Sequence, residues 1–397
     1  MRAGSLLDLM RTYHADRQPA GVRRKYRRMA AGAFEFFRGS NFLFAAAWPK
    51  LQPTSPGPAV WLCGDLHLEN FGAFPTDDGE FCFDINDFDE SAIAPCSIDL
   101  VRCSTSILLA ADSWRLSPTQ GTGMVLAFLD AYRQQMLSDS PSAIDENRQE
   151  LGVVAQLLKA VRLASRERML LKYAKRRSNG GWRFRRGDDR IKKLRPETVA
   201  RIRQAVEEFG AGEGWRLLDV VKRYSGIGSL GLRRYQLLLQ TDASHEPAML
   251  SLKEAAPSVL VPFVDAAQPR FASEAERVVT AQRLLQIRPT AGLHALDFGG
   301  RSYRLRAMIP EENRSSLNRL QEKPRRLREA VAVAGRLTAR SQRRGSRIDQ
   351  HDRFPELRKW ASSPALDAVL SAAVRFADWV IADYQTFMKA YRNGQIG

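Results

Sequence analysis

Cysteines and long apolar runs are both scarce in this chain, which argues against disulfide-rich, zinc-binding and membrane-spanning classes of protein. The cysteines are Cys63, Cys82, Cys96 and Cys103, and no two of them form a C-x-x-C pair. We therefore expect reduced thiols in a cytoplasmic protein, without a disulfide framework or a cysteine zinc site. No stretch approaches the ~18 apolar residues that a membrane span requires. The amphipathic, acid-containing N-terminal stretch is also unlike a secretion signal.

Acidic residues are outnumbered by basic ones, which gives the chain a formal net charge of +17. The basic residues concentrate at 22–28, 172–193 and 323–347. Such a surface attracts anions, so nucleotides, nucleic acid and acidic lipid are all candidate partners. Aromatic residues are sparse within these clusters, which disfavours a platform for stacking nucleic-acid bases. Charge runs most often form solvated faces, and nucleic-acid binding remains an alternative that is not favoured.

The order of helical and strand patterns predicts an α+β protein without internal repeats. A compact β-rich block at 215–312 lies between two helical blocks, and glycine-containing turns separate its strand patterns. Outside this block, short strands are predicted at 59–63 and 81–86. Helices are predicted at 20–48 with a break at Gly39, and at 97–114, 121–138, 146–176, 195–209, 273–286, 326–343 and 364–392.

The β-rich block contains a glycine pattern, "GIGSLG", with Gly226, Gly228 and Gly231 around Ser229. A dinucleotide-binding fold requires a helix directly after such glycines. Here the strand-like "LRRYQLLLQ" follows, and strand–glycines–strand is the lid over nucleotide phosphates in protein kinases. Glycines suit this lid because the backbone must approach phosphate oxygens closely.

The strand after the glycine loop carries Lys253 in "LSLKEA". A lysine at this position holds the α- and β-phosphates in a kinase. The predicted helix at 273–286 then supplies a carboxylate partner for the lysine, from Glu276 or from Glu274. The ordered series of hairpin, lysine, helix and hairpin predicts a nucleotide-binding lobe.

The stretch "WLCGDLHLENFG" at 61–72 places several polar groups between apolar neighbours. Asp65 and Asn70 have the five-residue spacing of a kinase's catalytic Asp and metal-binding Asn. His67, between them, is a structural hydrogen-bonding residue of the loop or, less favoured, a metal ligand. Turn and capping roles are the alternative for these residues.

A second acid-rich stretch, "FCFDINDFDE", follows at 81–90. Asp87 precedes a phenylalanine, as does the metal-binding Asp of kinases, and Mg²⁺ prefers such oxygen ligands. Asp84 and Asp89 are rivals for this role. If Ile85 points into the core beside Phe83, strand alternation places the Asp84 side chain on the other side of the strand, away from the core.

Together, "GDLHLEN" and "INDFDE" resemble the catalytic and metal motifs of aminoglycoside and choline phosphotransferases, which belong to the protein-kinase-like superfamily. That resemblance implies a further Asp, about twelve residues after the metal Asp, that braces the catalytic loop. Asp99 stands twelve residues after Asp87, which favours Asp87 over Asp84. Over most of its length, the chain more closely resembles the uncharacterised bacterial domain-of-unknown-function family 2252.

Two features depart from the phosphotransferase pattern. Their His-Gly-Asp motif is Cys63-Gly64-Asp65 here, so the braced histidine is absent. The catalytic loop also precedes the glycine loop by about 160 residues, whereas a kinase has the opposite order. A circularly permuted kinase explains that order, because folds tolerate new chain ends at surface positions.

These observations predict a bilobal, permuted kinase-like fold in four parts. The parts are 1–145, the first part of the helical lobe with the catalytic and metal loops; 146–214, a basic helical segment facing the substrate; 215–312, the nucleotide-binding lobe; and 313–397, the remaining helices of the helical lobe. The predicted function is ATP- and Mg²⁺-dependent phosphoryl transfer to a hydroxyl. The adenine is expected near 308–310. Transfer of AMP, and nucleotide binding without turnover by a pseudokinase, are also compatible with these motifs.

Overall fold

The structure is a computed structural model. It describes residues 3–138, 153–163, 166–178, 180–242, 244–309 and 323–396. Three predicted features therefore fall wholly or partly outside the described residues: 146–152 of the substrate-facing segment, Pro310 at the adenine position and 313–322 of the last part. None of the described helices is long and apolar enough to span a membrane.

The front of the chain is built from helices and short strands. The elements are α1 (Ala3–His14), α2 (Pro19–Met29), α3 (Ala33–Gly39), α4 (Asn41–Leu51), β1 (Ala59–Leu62), β2 (Phe71–Pro75), β3 (Phe81–Ile85), β4 (Ala92–Pro95), α5 (Ser97–Ser113) and α6 (Pro118–Leu137). The predicted break at Gly39 is confirmed, since α3 ends there. Helix α6 begins earlier than predicted because Ser117 and Gln120 form a capping box at its start.

The middle of the chain leads into a six-stranded antiparallel sheet. The first elements are α7 (Val153–Leu163), α8 (Arg166–Tyr173), β5 (Ala174–Arg176), β6 (Trp182–Phe184), β7 (Ile191–Lys192), which is an edge strand of the sheet, and α9 (Pro196–Phe209). Then follow β8 (Arg216–Arg223), β9 (Arg234–Thr241), β10 (Ser244–Glu254), α10 (Glu274–Leu285), β11 (His294–Phe298) and β12 (Arg301–Ala307). The strand order is β11-β12-β10-β9-β8-β7. The predicted strand–glycines–strand arrangement is confirmed, since β8 and β9 are antiparallel neighbours.

The sheet has two different faces, because successive side chains along a strand point to opposite sides. One face is apolar and packs against α9, where Ile202 and Val206 join residues such as Leu237 and Leu252 in a common core. Strand β7 joins the sheet and α9 packs on it, and both precede residue 215. The unit that contains the sheet therefore begins earlier than the β-rich block predicted at 215–312. On the other face, part of the sheet is covered by α8 and the β5–β6 hairpin.

The last part of the chain packs against the first part. Its elements are α11 (Pro324–Gly345), β13 (Arg347–Ile348), β14 (His351–Asp352), α12 (Phe354–Ser362), which is not among the predicted helices, and α13 (Ala365–Arg392). Helix α11 packs closely on α6 at Gly335, where an added Cβ would overlap the Phe128 carbonyl oxygen. Gln342 of α11 accepts a hydrogen bond from the Tyr132 hydroxyl at 2.6 Å and donates one to the Cys96 carbonyl at 2.9 Å. The two ends of the chain thus share one helical core.

Candidate active site

A cleft lies between the acid-rich loops of the front and the polar face of the sheet. Most of the predicted site residues line it: Asp65, His67, Asn70, Asp87, Gly226, Gly228, Ser229 and Lys253. Three predicted residues do not line it, namely Asp99, Gly231 and Glu276. The fold therefore brings together groups that are far apart along the chain.

The loop that carries Asp65 is held from behind by Asp99, in the first turn of α5. The Asp99 carboxylate accepts hydrogen bonds from the backbone N–H of Cys63 at 3.1 Å and of Gly64 at 3.0 Å. Burial raises the pKa of Asp99 to about 6. Gly64 has a φ of +80°, and an added Cβ would overlap the Glu90 carbonyl oxygen. The conformation of this loop therefore depends on glycine.

Asp65 projects from this loop into the cleft and is tied to Arg102. Its Oδ1 accepts a hydrogen bond from Arg102 Nε at 2.9 Å, and the Arg102 side chain is wholly buried. Burial raises the pKa of Asp65 to about 6, although the Arg102 guanidinium acts in the opposite direction. Asn70 donates from Nδ2 to the Asp65 carbonyl at 2.6 Å. Sequence reasoning missed Arg102, although it stands three residues after Asp99, a spacing that shares a helix face.

His67 takes part in the hydrogen bonding of the same loop. Its Nδ1 accepts a hydrogen bond from the Glu69 backbone N–H at 3.2 Å. The Glu69 carboxylate in turn pairs with Arg38 at 2.6 Å, which links the loop to α3. These contacts give one ring nitrogen of His67 a local structural role.

Asp87 follows β3 and faces the cations of the sheet. It lies 3.6 Å from Lys253 Nζ and 3.8 Å from Arg304 Nη1. Its Oδ1 is buried, and none of the described residues hydrogen-bonds to it. Burial raises the pKa of Asp87, but Lys253, Arg304 and Arg306 together lower it well below its usual range. Asp87 is therefore ionised and keeps an oxygen available for a further ligand.

The two rivals of Asp87 have different surroundings. Asp84 is fully buried, accepts a hydrogen bond from the Ile287 N–H at 3.0 Å and pairs with Arg344 at 3.4 Å. It does not line the cleft. Asp89 does line the cleft, where it forms an ion pair with Lys253 and lies 3.5 Å from Arg304. Asp89 is thus the rival that shares the surroundings of Asp87.

Lys253 belongs to a row of cations across the sheet. In the antiparallel register it is opposite Arg234 of β9 on one side and Arg304 of β12 on the other. Two residues further along the same face, Ser251 is opposite Arg306. We refer to Arg234, Lys253, Arg304 and Arg306 as the sheet cations. Sequence reasoning identified only Lys253, although alternation in "SYRLRAMI" places Arg304 and Arg306 of β12 on one face.

The predicted carboxylate partners of Lys253 do not contact it, and this prediction is wrong. Both lie in the first turn of α10 and serve its start: Glu276 accepts a hydrogen bond from the Ala272 N–H at 2.7 Å. Glu274 pairs with Arg277 at 2.6 Å. Asp89 takes their place beside Lys253.

Helix α10 acts on the site through Arg277 instead. This buried guanidinium donates to the carbonyl oxygens of Asp89 and Ala256, each at 2.9 Å, and to the Ser91 hydroxyl at 3.0 Å. Gln286, just beyond the end of α10, donates to the Ile85 carbonyl at 2.7 Å. The helix thereby fixes the backbone of the loop that carries Asp87 and Asp89.

The glycine loop is held in place by hydrogen bonds from the N-terminal segment. Gly226 and Gly231 have φ values of +73° and +104°. The Gly231 carbonyl accepts a hydrogen bond from the Gln18 N–H at 2.9 Å, which turns this glycine toward α2 and away from the cleft. Lys25 of α2 donates from Nζ to the Gly228 carbonyl at 3.0 Å.

Metal binding at this site would depend on a ligand as well as on the protein. Within the described ranges, no three histidine, cysteine or carboxylate side chains are arranged to hold a metal ion. Mg²⁺ commonly takes only one or two carboxylates and completes its shell with substrate phosphates and water. Asp87 and Asn70 line the same cleft and offer oxygen atoms of this kind.

The fold and the cleft define a protein of mixed α and β structure with a cationic sheet face opposed by carboxylates. The chain belongs to the family described as "Uncharacterized protein conserved in bacteria (DUF2252)", which matches residues 17–390. This confirms the family resemblance noted from the motifs. A search of curated proteins and a search of solved structures each found no match.

Proposed function

We propose that this protein binds ATP with Mg²⁺ and transfers a phosphoryl group to a hydroxyl of an acceptor. The proposed fold is protein-kinase-like with a circularly permuted chain order. The main support is one juxtaposition: Asp65, Asn70 and Asp87 line the same cleft as Lys253, although their loops lie far from it in the chain. Phosphoryl transfer requires these groups to converge on one triphosphate.

The chemistry of the cleft suits a triphosphate with a magnesium ion. The sheet cations would bind the phosphate oxygens, because they lie on one face and three of them, Lys253, Arg304 and Arg306, are buried. Asp87 and Asn70 would hold Mg²⁺, and Oδ1 of Asp87, which faces Lys253 and Arg304 but accepts no hydrogen bond from the described residues, would be a ligand atom for it. A bound Mg²⁺ ion would neutralise part of the negative charge of the phosphates.

Asp65 is the proposed residue that orients the acceptor hydroxyl and accepts its proton. With its pKa raised to about 6, it is ionised at neutral pH and still basic enough to take a proton. The hydrogen bond from Arg102 fixes the orientation of its carboxylate. Gly226 and Gly228 would cover the phosphates, and the adenine would lie near Met308 and Ile309, just beyond β12.

The packing of the chain ends supports the proposed permutation. Helices α6 and α11 contact each other closely at Gly335, so the segments before and after the sheet form one helical body. New chain ends in a permuted fold must leave such packed elements in place. One departure from a kinase remains, since Lys253 pairs with Asp89 of the acidic loop and not with a helix carboxylate.

Nucleotide binding to the full chain tests this proposal. ATP with Mg²⁺ should raise the melting temperature of the wild type but not that of Lys253→Met. Lys192→Met is the matched control, because Lys192 is an exposed lysine on the same sheet, and it should respond like the wild type. If ATP stabilises neither the wild type nor the control, the proposal is wrong.

Labelled ATP then separates the candidate activities. Label from the γ position in a product indicates phosphoryl transfer, whereas label from the α position indicates AMP transfer. Stabilisation by ATP without any turnover indicates a pseudokinase. Steeply salt-dependent binding to DNA or RNA, without a response to ATP, indicates a nucleic-acid-binding protein.

A further inference from the structure

A second group of cations lines the cleft, away from the sheet. It consists of Arg17, between α1 and α2, Lys25 of α2 and Arg38 of α3, and we refer to these as the N-terminal cations. Lys25 is wholly buried, and its Nζ donates to the Gly228 carbonyl at 3.0 Å. Among the described residues, no carboxylate lies within ion-pair distance of it. A buried lysine is rare without such a partner.

The other two N-terminal cations also carry unused donors. Arg17 Nη1 and Arg38 Nε are both buried, and no described residue accepts a hydrogen bond from either atom. The Arg17 guanidinium lies over the Tyr13 ring, 4.1 Å from its centroid. Arg38 uses another nitrogen to pair with Glu69 at 2.6 Å. The two arginines therefore retain donors that a ligand in the cleft could satisfy.

The two groups of cations act on different carboxylates. The sheet cations surround Asp87, and their charges lower its pKa. Lys25 is instead under the electrostatic influence of Asp65 and Glu90, and burial lowers the pKa of Lys25 well below its usual range. Arg38 also pairs at 2.6 Å with Glu69 of the loop that carries Asp65, so the N-terminal cations lie on the side of the cleft where Asp65 would receive an acceptor hydroxyl.

Apart from Glu69, which pairs with Arg38, the nearby acids do not account for this positive charge. Asp65 is already bound by Arg102 Nε at 2.9 Å, and Glu90 accepts a hydrogen bond from the Val259 N–H at 2.8 Å. Burial also raises the pKa of Glu90 to about 7, so it is only partly ionised near neutral pH. Burying a charge without a partner is energetically unfavourable. An anion in the cleft would remove that cost.

Building on the proposed function, we infer that the N-terminal cations bind an anionic group of the acceptor, so that the acceptor is a hydroxyl compound bearing a phosphate or a carboxylate. The sheet cations would hold the nucleotide, and the N-terminal cations would hold the acceptor on the other side of Gly228. Asp65 would then meet a hydroxyl on the same molecule as the bound anion.

Calorimetric titration of the full chain, saturated with Mg²⁺ and a non-hydrolysable ATP analogue, tests this inference. Inorganic phosphate is the probe in one arm and acetate in the other, which separates the two kinds of anion. We expect one of them to bind the wild type, and Lys25→Met and Arg17→Met each to weaken that binding by about tenfold or more. Affinity for the ATP analogue should change by less than about threefold.

Arg27→Met is the matched control, because Arg27 is an exposed cation on the same helix as Lys25. It should bind the anion like the wild type. Thermal melting checks that Lys25→Met is folded, and Arg17→Met alone decides the test if it is not.

Each failure has a distinct meaning. If the ATP analogue does not bind the wild type, the proposed function fails and this inference fails with it. If the analogue binds but neither anion does, or if the variants bind the anion normally, only the inference is wrong. Competition between anion and analogue also overturns it, since the N-terminal cations would then belong to the nucleotide site.

Discussion

Replacing Asp87 by alanine should affect nucleotide binding in opposite directions, depending on whether Mg²⁺ is present. With Mg²⁺, the variant loses a proposed metal ligand and should show no Mg²⁺-dependent turnover. Without Mg²⁺, it should bind ATP more tightly than the wild type does. The reason is that Asp87 and the phosphates of ATP would compete for the same cations.

The size of the metal-free effect follows from the geometry. Asp87 lies 3.6 Å from Lys253 Nζ and 3.8 Å from Arg304 Nη1. A phosphate oxygen held by both cations would lie about 6 Å from Asp87, where unit charges repel by roughly 3 kcal/mol at an effective dielectric constant of about 20. Because the Asp87 side chain is 39% exposed, screening reduces the expected effect to about 1.5 kcal/mol, or about tenfold in Kd.

Calorimetry with ATP in excess EDTA measures this change directly, and the same titration with Mg²⁺ measures the loss of metal dependence. Asp297→Ala is the control, because it removes one acidic charge from an exposed position on β11. It changes the net charge equally but leaves the cleft unchanged. The control should match the wild type in both titrations, and melting curves should show that both variants are folded.

Two results would refute this reasoning. If Asp87→Ala weakens metal-free ATP binding, then Asp87 does not oppose the phosphates, and the triphosphate does not lie against Lys253 and Arg304. If the variant retains full Mg²⁺-dependent turnover, then Asp87 does not hold the metal. The second result would favour Asp89 as the metal ligand, because it lines the same cleft and contacts the same two cations.

The remaining predictions concern the loop that carries the proposed catalytic residue, and both are measured by chemical denaturation. Gly64→Ala and Gly79→Ala should each lower the free energy of unfolding by about 1–2 kcal/mol, because both glycines have positive φ. Gly64→Ala should lower it by about 1–3 kcal/mol more, because a Cβ at 64 clashes with the Glu90 carbonyl whereas a Cβ at 79 meets no atom. Equal losses of stability in the two variants would contradict this. The raised pKa of Asp99, about 6, means that the folded state retains a proton that the unfolded state releases near pH 4. Stability from this group should therefore fall as pH rises from about 4 to 6, and Asp99→Asn should remove that component of the slope.

Much of the local structure could be predicted from the sequence, because it depends on neighbours along the chain. Strand-like apolar patterns identified β9 and β12, and the glycine at 39 ended a helix where expected. The resemblance to phosphotransferases favoured Asp87 over Asp84, and Asp84 proves to be buried against Arg344, outside the cleft. Each of these signals is contained within a few turns or one strand.

The carboxylate partner of Lys253 could not be predicted in this way. Its identity depends on how α10 is rotated and placed against the sheet, and the two acids at the start of that helix serve its own first turn. Asp89 approaches Lys253 because Arg277 holds the backbone of the acidic loop beneath the sheet. No spacing along the chain encodes this approach.

The sequence by itself determined which segments form strands and helices and which short loops carry acids and glycines, since hydrophobic period and turn chemistry are local. Only the tertiary structure decided that Arg234, Lys253 and Arg304 lie side by side and face Asp87. Cross-strand neighbours depend on the register between strands that are distant in the chain. That register, and the packing of α10 and α11 that holds it against the front loops, is a property of the whole fold.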